Sequence, residues 1–310
     1  MTAPNRQFKQ SLATRLDNID VLSETYRAAP LQCVQTTRGP LGAELHGVST
    51  LRVEVRDAAF DAGVTLTAAD PFPRFGLGIG LAGDVQLPWT SLTSSNVGYI
   101  TGSDGMIVRL QPGARWCNIS LDWDLFIGAA ETHGYSLPSG DRSVGVPSSL
   151  HRDFAALLSR VARGEQYFEL ADAELEDELA LAVLRILQAR QPAGRDMRSG
   201  HQRIVHRVVE LIEAEYSGTV TVTGLCKQFG VSERTLQYRF KDATGLSVQQ
   251  YLLIYRLQRA RAMLLRGEYQ QVGEVAGACG IHHAGRFAQY YRRLFRQSPR
   301  ETQRDARSVR

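Results

Sequence analysis

From Leu51 to about Val146, apolar and polar positions alternate in short bursts. The runs LRVEV, RFGLGIGL, GMIVRL and WCNISLDW are separated by GSDG, QPGA and PSGD. A period of two broken by turn residues predicts strands. Strands this frequent, with no helical pattern between them, predict an antiparallel barrel or sandwich rather than a parallel sheet. The period then changes. Leu150 to Val161 and Asp172 to Arg190 read as helices, the second acidic at its start and basic at its end, as the helix dipole favours. Apolar residues at Leu175, Leu179, Val183, Ile186 and Leu187 exceed a one-sided stripe. They fit packing on the barrel or a dimer contact, for which Leu175, Leu179, Val183 and Ile186 are the candidates. Residues 1–22 are polar and weakly patterned, as expected of a loose arm. QPAGRDMRSG, Gln191 to Gly200, has the composition of a linker. From His201 the chain is helical and basic. The expected division is therefore an arm at 1–22, a strand-rich domain at 23–190, a linker at 191–200, a helical domain at 201–304 and a tail at 305–310.

The helical part contains a weak duplication. Leu225-Cys226 and Phe229-Gly230-Val231 align with Val275-Ala276 and Cys279-Gly280-Ile281. After a one-residue insertion, Leu236, Phe240 and Ser247 align with Phe287, Tyr291 and Ser298. Each copy reads as a short apolar helix, a glycine turn and a longer basic helix, the grammar of a helix-turn-helix. Glycine permits the left-handed residue that ends the first helix, and Ser232 can cap the next. Phe287, Tyr291, Leu294 and Phe295 recur at the spacing of one helix face, and so do Leu236, Phe240 and Ala243; these predict core. The residues left outside the core faces are the candidate DNA contacts. They are Arg234, Thr235, Gln237, Tyr238 and Lys241 in the first copy, and His282, His283, Arg286, Gln289 and Arg292 in the second. Arginine pairs with guanine and glutamine with adenine in the major groove. Adjacent histidines diverge by about 100° on a helix, so His282 and His283 make a poor metal pair. Val248 to Leu265 forms the rod between the copies. At 1.5 Å per residue it spans roughly 27 Å, which suits successive major grooves about 34 Å apart.

Charge sharpens this picture. Residues 1–200 carry 18 Lys+Arg against 23 Asp+Glu, whereas residues 201–310 carry 18 against 9. A mildly acidic region joined to a basic one points to a polyanionic partner for the second. The 310 residues suffice for two cores, and no apolar run reaches the roughly 18 needed to span a membrane. The amino-terminal stretch lacks an apolar signal-like region, and the four cysteines are far apart with no C-x-x-C. A cytoplasmic, nucleoid-associated protein with reduced thiols and no metal or other cofactor is expected.

The stretch from Ile204 to Arg304 resembles the AraC/XylS family of bacterial transcription regulators. The likeness rests on TVTGLCKQFGVSERTLQYRF, GLSVQQYLLIYRLQRARAMLL and GIHHAGRFAQYYRRLFRQSP. Two of these segments are most similar to the branch containing the regulator of ethanolamine utilisation. The resemblance implies a carboxy-terminal DNA-binding domain of two helix-turn-helix motifs joined by a long helix. It also implies an amino-terminal cupin-like sensory domain, and so an α+β two-domain fold. Double-stranded DNA at promoters, a small-molecule effector, RNA polymerase and a second copy of the chain are the implied partners, with activation the implied role. The sequence departs from the family at Ile281, where Phe is usual, at Arg296, where Gly is usual, and at Thr302-Gln303 in place of Tyr-Arg.

Three further features bear on function. Gly78 to Gly83 spells G-x-G-x-x-G, but Pro88 follows closely, and a glycine-rich hairpin is expected instead of a helix-opening phosphate loop. Phe75, Trp89, Tyr99, Trp116 and Trp123 are candidates to line an effector pocket. The alternative, a cupin-type metal-dependent enzyme with an accessory DNA-binding domain, needs clustered ligands. The first half offers only His46, His133 and His151, and no catalytic residue is expected.

Overall fold

A computed structural model describes residues 10–17, 22, 25, 31–68, 73–101, 106–138, 143–165, 170–189, 199–218 and 220–309. The first part is mainly strands: β1 (Gln10–Leu16), β2 (Leu31–Gln35), β3 (Ala43–Ser49), β4 (Val53–Phe60), β5 (Val64–Ala68), β6 (Phe75–Ala82), β7 (Val85–Leu87), β8 (Thr90–Leu92), β9 (Asn96–Ile100), β10 (Met106–Leu110), β11 (Arg115–Leu121) and β12 (Ser143–Gly145). Among the elements that go with them are the helices α1 (Trp123–His133), α2 (Ser148–Ala162) and α3 (Asp172–Gln188). The second part is helical: α4 (Ser199–Glu215), α5 (Val222–Phe229), α6 (Glu233–Thr244), α7 (Val248–Arg266), α8 (Val272–Ala278), α9 (Ala284–Phe295) and α10 (Pro299–Val309). The architecture is α+β, strand-rich first and helical second.

The strands form two sheets of antiparallel ladders, ordered β1-β3-β4-β11-β6-β9-β12 and β2-β5-β10-β7-β8. The expected barrel is corrected here to an open sandwich. The larger sheet ends at β1 and β12 and the smaller at β2 and β8, and no ladder among the described residues joins these edges. Alternation along β11 builds two cores. Trp116 faces the smaller sheet, packing with Leu66, Leu92 and Val108. Cys117, Ile119 and Leu121 face the helices, packing with Phe126, Leu158 and Val183.

Three further expectations change. Residues 10–16 belong to no loose arm. They pair with β3 along their whole length, because Leu12, Thr14 and Leu16 alternate toward the sheet's covered side. Strands also precede Leu51, at β2 and β3. A helix interrupts the strands at α1: Asp122, which alternation along β11 assigned to a strand, accepts the Asp124 N–H at 3.0 Å and caps it. Gly134 ends the same helix in the left-handed conformation.

The dimer candidates Leu175, Leu179, Val183 and Ile186 are corrected to core. All four are at most 2% exposed, buried within one chain in the core that the larger sheet shares with α1 and α2. Glu176, on the same face, is buried too. Its carboxylate accepts from Thr50 Oγ1 at 2.6 Å and from Arg52 Nε at 2.7 Å, tying α3 to the β3–β4 turn.

Candidate nucleic-acid interface

The helical part grows from local signals. Thr221 caps α5 by accepting the Gly224 N–H at 3.0 Å. Gly230 (φ 62°) ends α5 in the left-handed region, and Ser232 caps α6 through the Thr235 N–H at 3.1 Å. This is the turn expected from FGVSERT. In the second copy Gly280 (φ 70°) occupies the matching position. A Cβ there would come within 2.7 Å of the Ser217 carbonyl, so glycine also permits close packing on the end of α4.

The apolar faces pair as the spacing requires. Leu236, Phe240 and Ala243 are buried with α4, α5 and the first half of α7. Phe287, Tyr291, Leu294 and Phe295 are buried with the second half of α7 and with α8. Tyr216 and Ile254 touch both cores and join them. Arg256 on α7 donates to the Tyr216 and Gly218 carbonyls at 2.6 and 2.8 Å and closes the end of α4. Two departures from the family pattern gain a role here: Thr302 Oγ1 lies 3.0 Å from Tyr291 Oη, and Gln303 Nε2 donates to the Tyr269 and Gln270 carbonyls.

The candidate contacts lie where these cores leave them. In α6, Arg234, Tyr238 and Lys241 are exposed, Tyr238 at 69%, whereas Thr235 and Gln237 are half-buried. Gln237 Oε1 accepts weakly from the Val248 N–H, at 3.4 Å. Around α9, His282, His283, Arg286, Gln289 and Arg292 are all exposed. His283 opens α9 with no side-chain cap, and Ala284 and Gly285 behind it are exposed. The first amides of α9 are thus bare, with no acidic side chain on the helix. A helix start of this kind attracts phosphate.

The strand-rich part touches this unit from behind, through the outer face of the smaller sheet. Val34 and Ile107 sit in the core of α4 to α7. Thr65 Oγ1 donates to the Thr244 carbonyl at 3.1 Å, Arg109 to the Asp242 carbonyl at 3.0 Å, and the Gly39 N–H to the Leu294 carbonyl at 2.8 Å. These are the carboxy-terminal ends of α6 and α9, so their amino-terminal ends stay clear of the contact.

Residues 225–305 match the family model described as a helix-turn-helix domain. This part of the chain is an AraC-type helix-turn-helix domain. Over 108 residues the chain is 38% identical to the probable thc operon regulatory protein of Rhodococcus erythropolis, a match covering 34% of this chain and 32% of that one. It is 27% identical over 186 residues to the transcriptional activator RhaR of Pectobacterium atrosepticum, covering 58% of this chain and 62% of that protein. The chain thus spans less than two thirds of either relative. Among solved structures, a probable AraC family transcriptional regulator from Rhodopseudomonas palustris is 33% identical and covers 33% of this chain and 96% of its own, with a TM-score of 0.32.

Outside the AraC-type domain, the expected pocket residues divide. Trp89 and Trp116 line a narrow apolar gap between the two sheets, as does Asn118. Tyr99 borders this gap, but its ring stacks on Phe75 at 5.9 Å on the helix side. Phe75 and Trp123 belong wholly to that side, packed on Phe126. Alternation explains the split, because odd positions of β6, β9 and β11 face the helices. Gly76, Gly78 and Gly98 form the gap's floor, and a Cβ on Gly98 would meet Leu87 at 2.1 Å. The G-x-G-x-x-G run is therefore strand and hairpin, with Gly83 (φ 67°) at the turn. Among the described residues, Asn118 Oδ1 and Trp116 Nε1 are buried there without a hydrogen-bond partner. Among the described residues, no three His, Cys, Asp or Glu side chains gather as metal ligands.

Proposed function

We propose that the chain is a sequence-specific DNA-binding transcription regulator of the AraC/XylS type, acting as an activator with RNA polymerase at promoters in the bacterial cytoplasm. The observation that carries this reading is the pair of exposed starts of the net-basic helices α6 and α9. Both are backed by buried aromatic faces and held at the two ends of a 19-residue helix. At 1.5 Å per residue that helix is roughly 28 Å long, close to the repeat of the major groove. The likeness to the activator RhaR supports the role of activator. In this reading Arg234, Thr235, Gln237, Tyr238 and Lys241 meet base edges, and His282, His283, Arg286, Gln289 and Arg292 meet mainly the phosphate backbone.

The cupin-like amino-terminal domain, residues 23–190 together with the strand Gln10–Leu16 that its larger sheet takes in, holds a small effector in the gap between its sheets. The unpartnered Trp116 Nε1 and Asn118 Oδ1 support this, since buried polar groups are nearly always paired. The opposite wall of the gap, where β2, β5 and β10 contribute Leu31, Ala68 and Met106, carries the contact to the helical domain on its outer face, which gives the effector a route to it. Titrating the full chain into promoter-length duplex DNA at increasing salt tests the reading. Affinity should fall about a thousandfold between roughly 50 and 200 mM salt if six or more phosphates are neutralised. Binding that ignores salt, or no binding, sinks it.

A further inference from the structure

The two helices that face DNA in the reading above, α6 and α9, both end on the strand-rich part. The last four carbonyls of a helix have no partner within it. At the end of α6, the Thr244 carbonyl accepts from Thr65 Oγ1 of β5 at 3.1 Å, and the Asp242 carbonyl accepts from Arg109 of β10 at 3.0 Å. Arg109 also sets a cation at the negative end of the helix dipole. A Cβ on Gly245 would lie 3.0 Å from that guanidinium, so the glycine that ends α6 leaves room for it. At the end of α9, the Leu294 carbonyl accepts from the Gly39 N–H at 2.8 Å.

The Gly39 anchor sits in a loop, yet the loop is tied down. Gln35, at the end of β2 and only 2% exposed, donates through Nε2 to the Thr37 and Gly39 carbonyls at 2.9 and 2.7 Å. The Thr36 N–H donates to the Gly63 carbonyl at 2.8 Å, and Thr37 Oγ1 accepts from the Gly63 N–H at 2.7 Å. These bonds fix the loop to the turn before β5. β2 and β10 both pair with β5, so one hydrogen-bonded sheet carries both anchors. The link within the helical part is thinner. Among the described residues, Tyr216 and Ile254 are the apolar side chains shared by its two cores, and α7 runs between them. A helix of this length can bend.

We propose that the smaller sheet is a frame that positions α6 and α9, holding their amino-terminal ends at one separation and one relative angle. The chain then accepts one spacing between the two segments of duplex that it contacts. Gln35, Thr65 and Arg109 are positioning residues: they lie at the ends away from DNA and act through the two helices. Such preorganisation removes the cost of ordering the two halves on binding. The inference rests on the DNA-binding reading, and it holds whether or not the gap between the sheets takes an effector.

The test uses the full chain and a duplex selected from random sequence, then lengthened or shortened by one base pair between the two contacted segments. One base pair changes their separation by about 3.4 Å and their facing by about 34°. The parent should bind either altered duplex about tenfold more weakly than the selected one. Gln35→Met, which keeps the buried volume and removes both donors, should cut that penalty to about threefold or less. Thr37→Val, a half-buried change that keeps the shape, should cut it too, by less. Affinity for a duplex carrying only one segment should stay within about twofold of the parent's, which loss of folding would not permit. Should Gln35→Met fail that control, Thr37→Val decides. A parent indifferent to spacing, or an unchanged penalty in the variants that pass the control, overturns the frame. Variants that bind the selected duplex more tightly overturn it as well, because the sheet would then be holding the helices away from DNA. A full chain that binds no duplex sinks the DNA-binding reading and this one with it, an outcome distinct from the others.

Discussion

The two helix pairs of the AraC-type domain descend from one pattern and have been finished differently. The first is closed at every joint: Ser232 caps α6, Gly245 ends it in the left-handed region, and its core extends to Val34 and Ile107 of the neighbouring sheet. The second is open. His283 starts α9 without a cap, Ala284 and Gly285 leave its amides bare, and Arg296 ends it at φ 58°. Arg296 is the one described residue other than glycine with positive φ. A duplicated core can thus be kept while caps and contacts diverge. The divergence suits a first helix that is rigid and reads bases and a second whose backbone closely approaches phosphate.

The largest test of this contrast lies in the cores. Phe240 and Phe287 are both fully buried, and truncating either to alanine should cost about 3–5 kcal/mol. Their reach should differ. Phe240→Ala should raise hydrogen exchange at Val34 and Ile107 as well as in α6, because they share one core. Phe287→Ala should leave those two strands protected. Matching exchange maps would erase the distinction.

Contacts to DNA come next. Arg234→Ala should relax base preference at one position of the site, at a cost of about 1–3 kcal/mol. Gln237→Ala should do the same more weakly, its amide oxygen already facing the Val248 N–H. Arg292→Ala should weaken binding to all sequences alike and lower the salt slope by about one. Selection from random duplexes with each variant decides between these roles. A changed preferred sequence for Arg292→Ala with none for Arg234→Ala would reverse the assignment.

The smallest effect concerns the end of α9. A left-handed arginine costs about 1–2 kcal/mol, and glycine returns part of that as extra unfolded-state entropy, about 0.5–1 kcal/mol. Arg296→Gly should therefore stabilise the chain by about 0.5 kcal/mol, read as a higher midpoint in urea. Destabilisation would mean that the arginine side chain contributes more than its backbone costs.

Much of the helical part follows from local chemistry, and the sequence alone was enough for it. Gly230, Ser232 and the aromatic spacing of Phe287, Tyr291 and Phe295 act over one or two turns, so turn, cap and core face could be read directly. Arg296 was visible as an oddity for the same reason. The strand-rich part obeyed local rules only in its alternation. Alternation separates Trp116 from Trp123, but which face of β11 meets a sheet and which meets helices depends on partners far away in sequence. The short segment Gln10–Leu16 pairs only because β3 offers it an edge, and α1 forms where alternation alone suggested strand. Leu179 and Val183 looked equally suited to a partner chain or to their own core, because burial of an apolar face is non-directional. Only the packing of α3 into the core it shares with α1 and α2 decided that question. The polar groups left unpaired at Trp116 and Asn118 are likewise products of tertiary packing: a sequence shows that a side chain is polar, but not that its neighbours leave it unpaired.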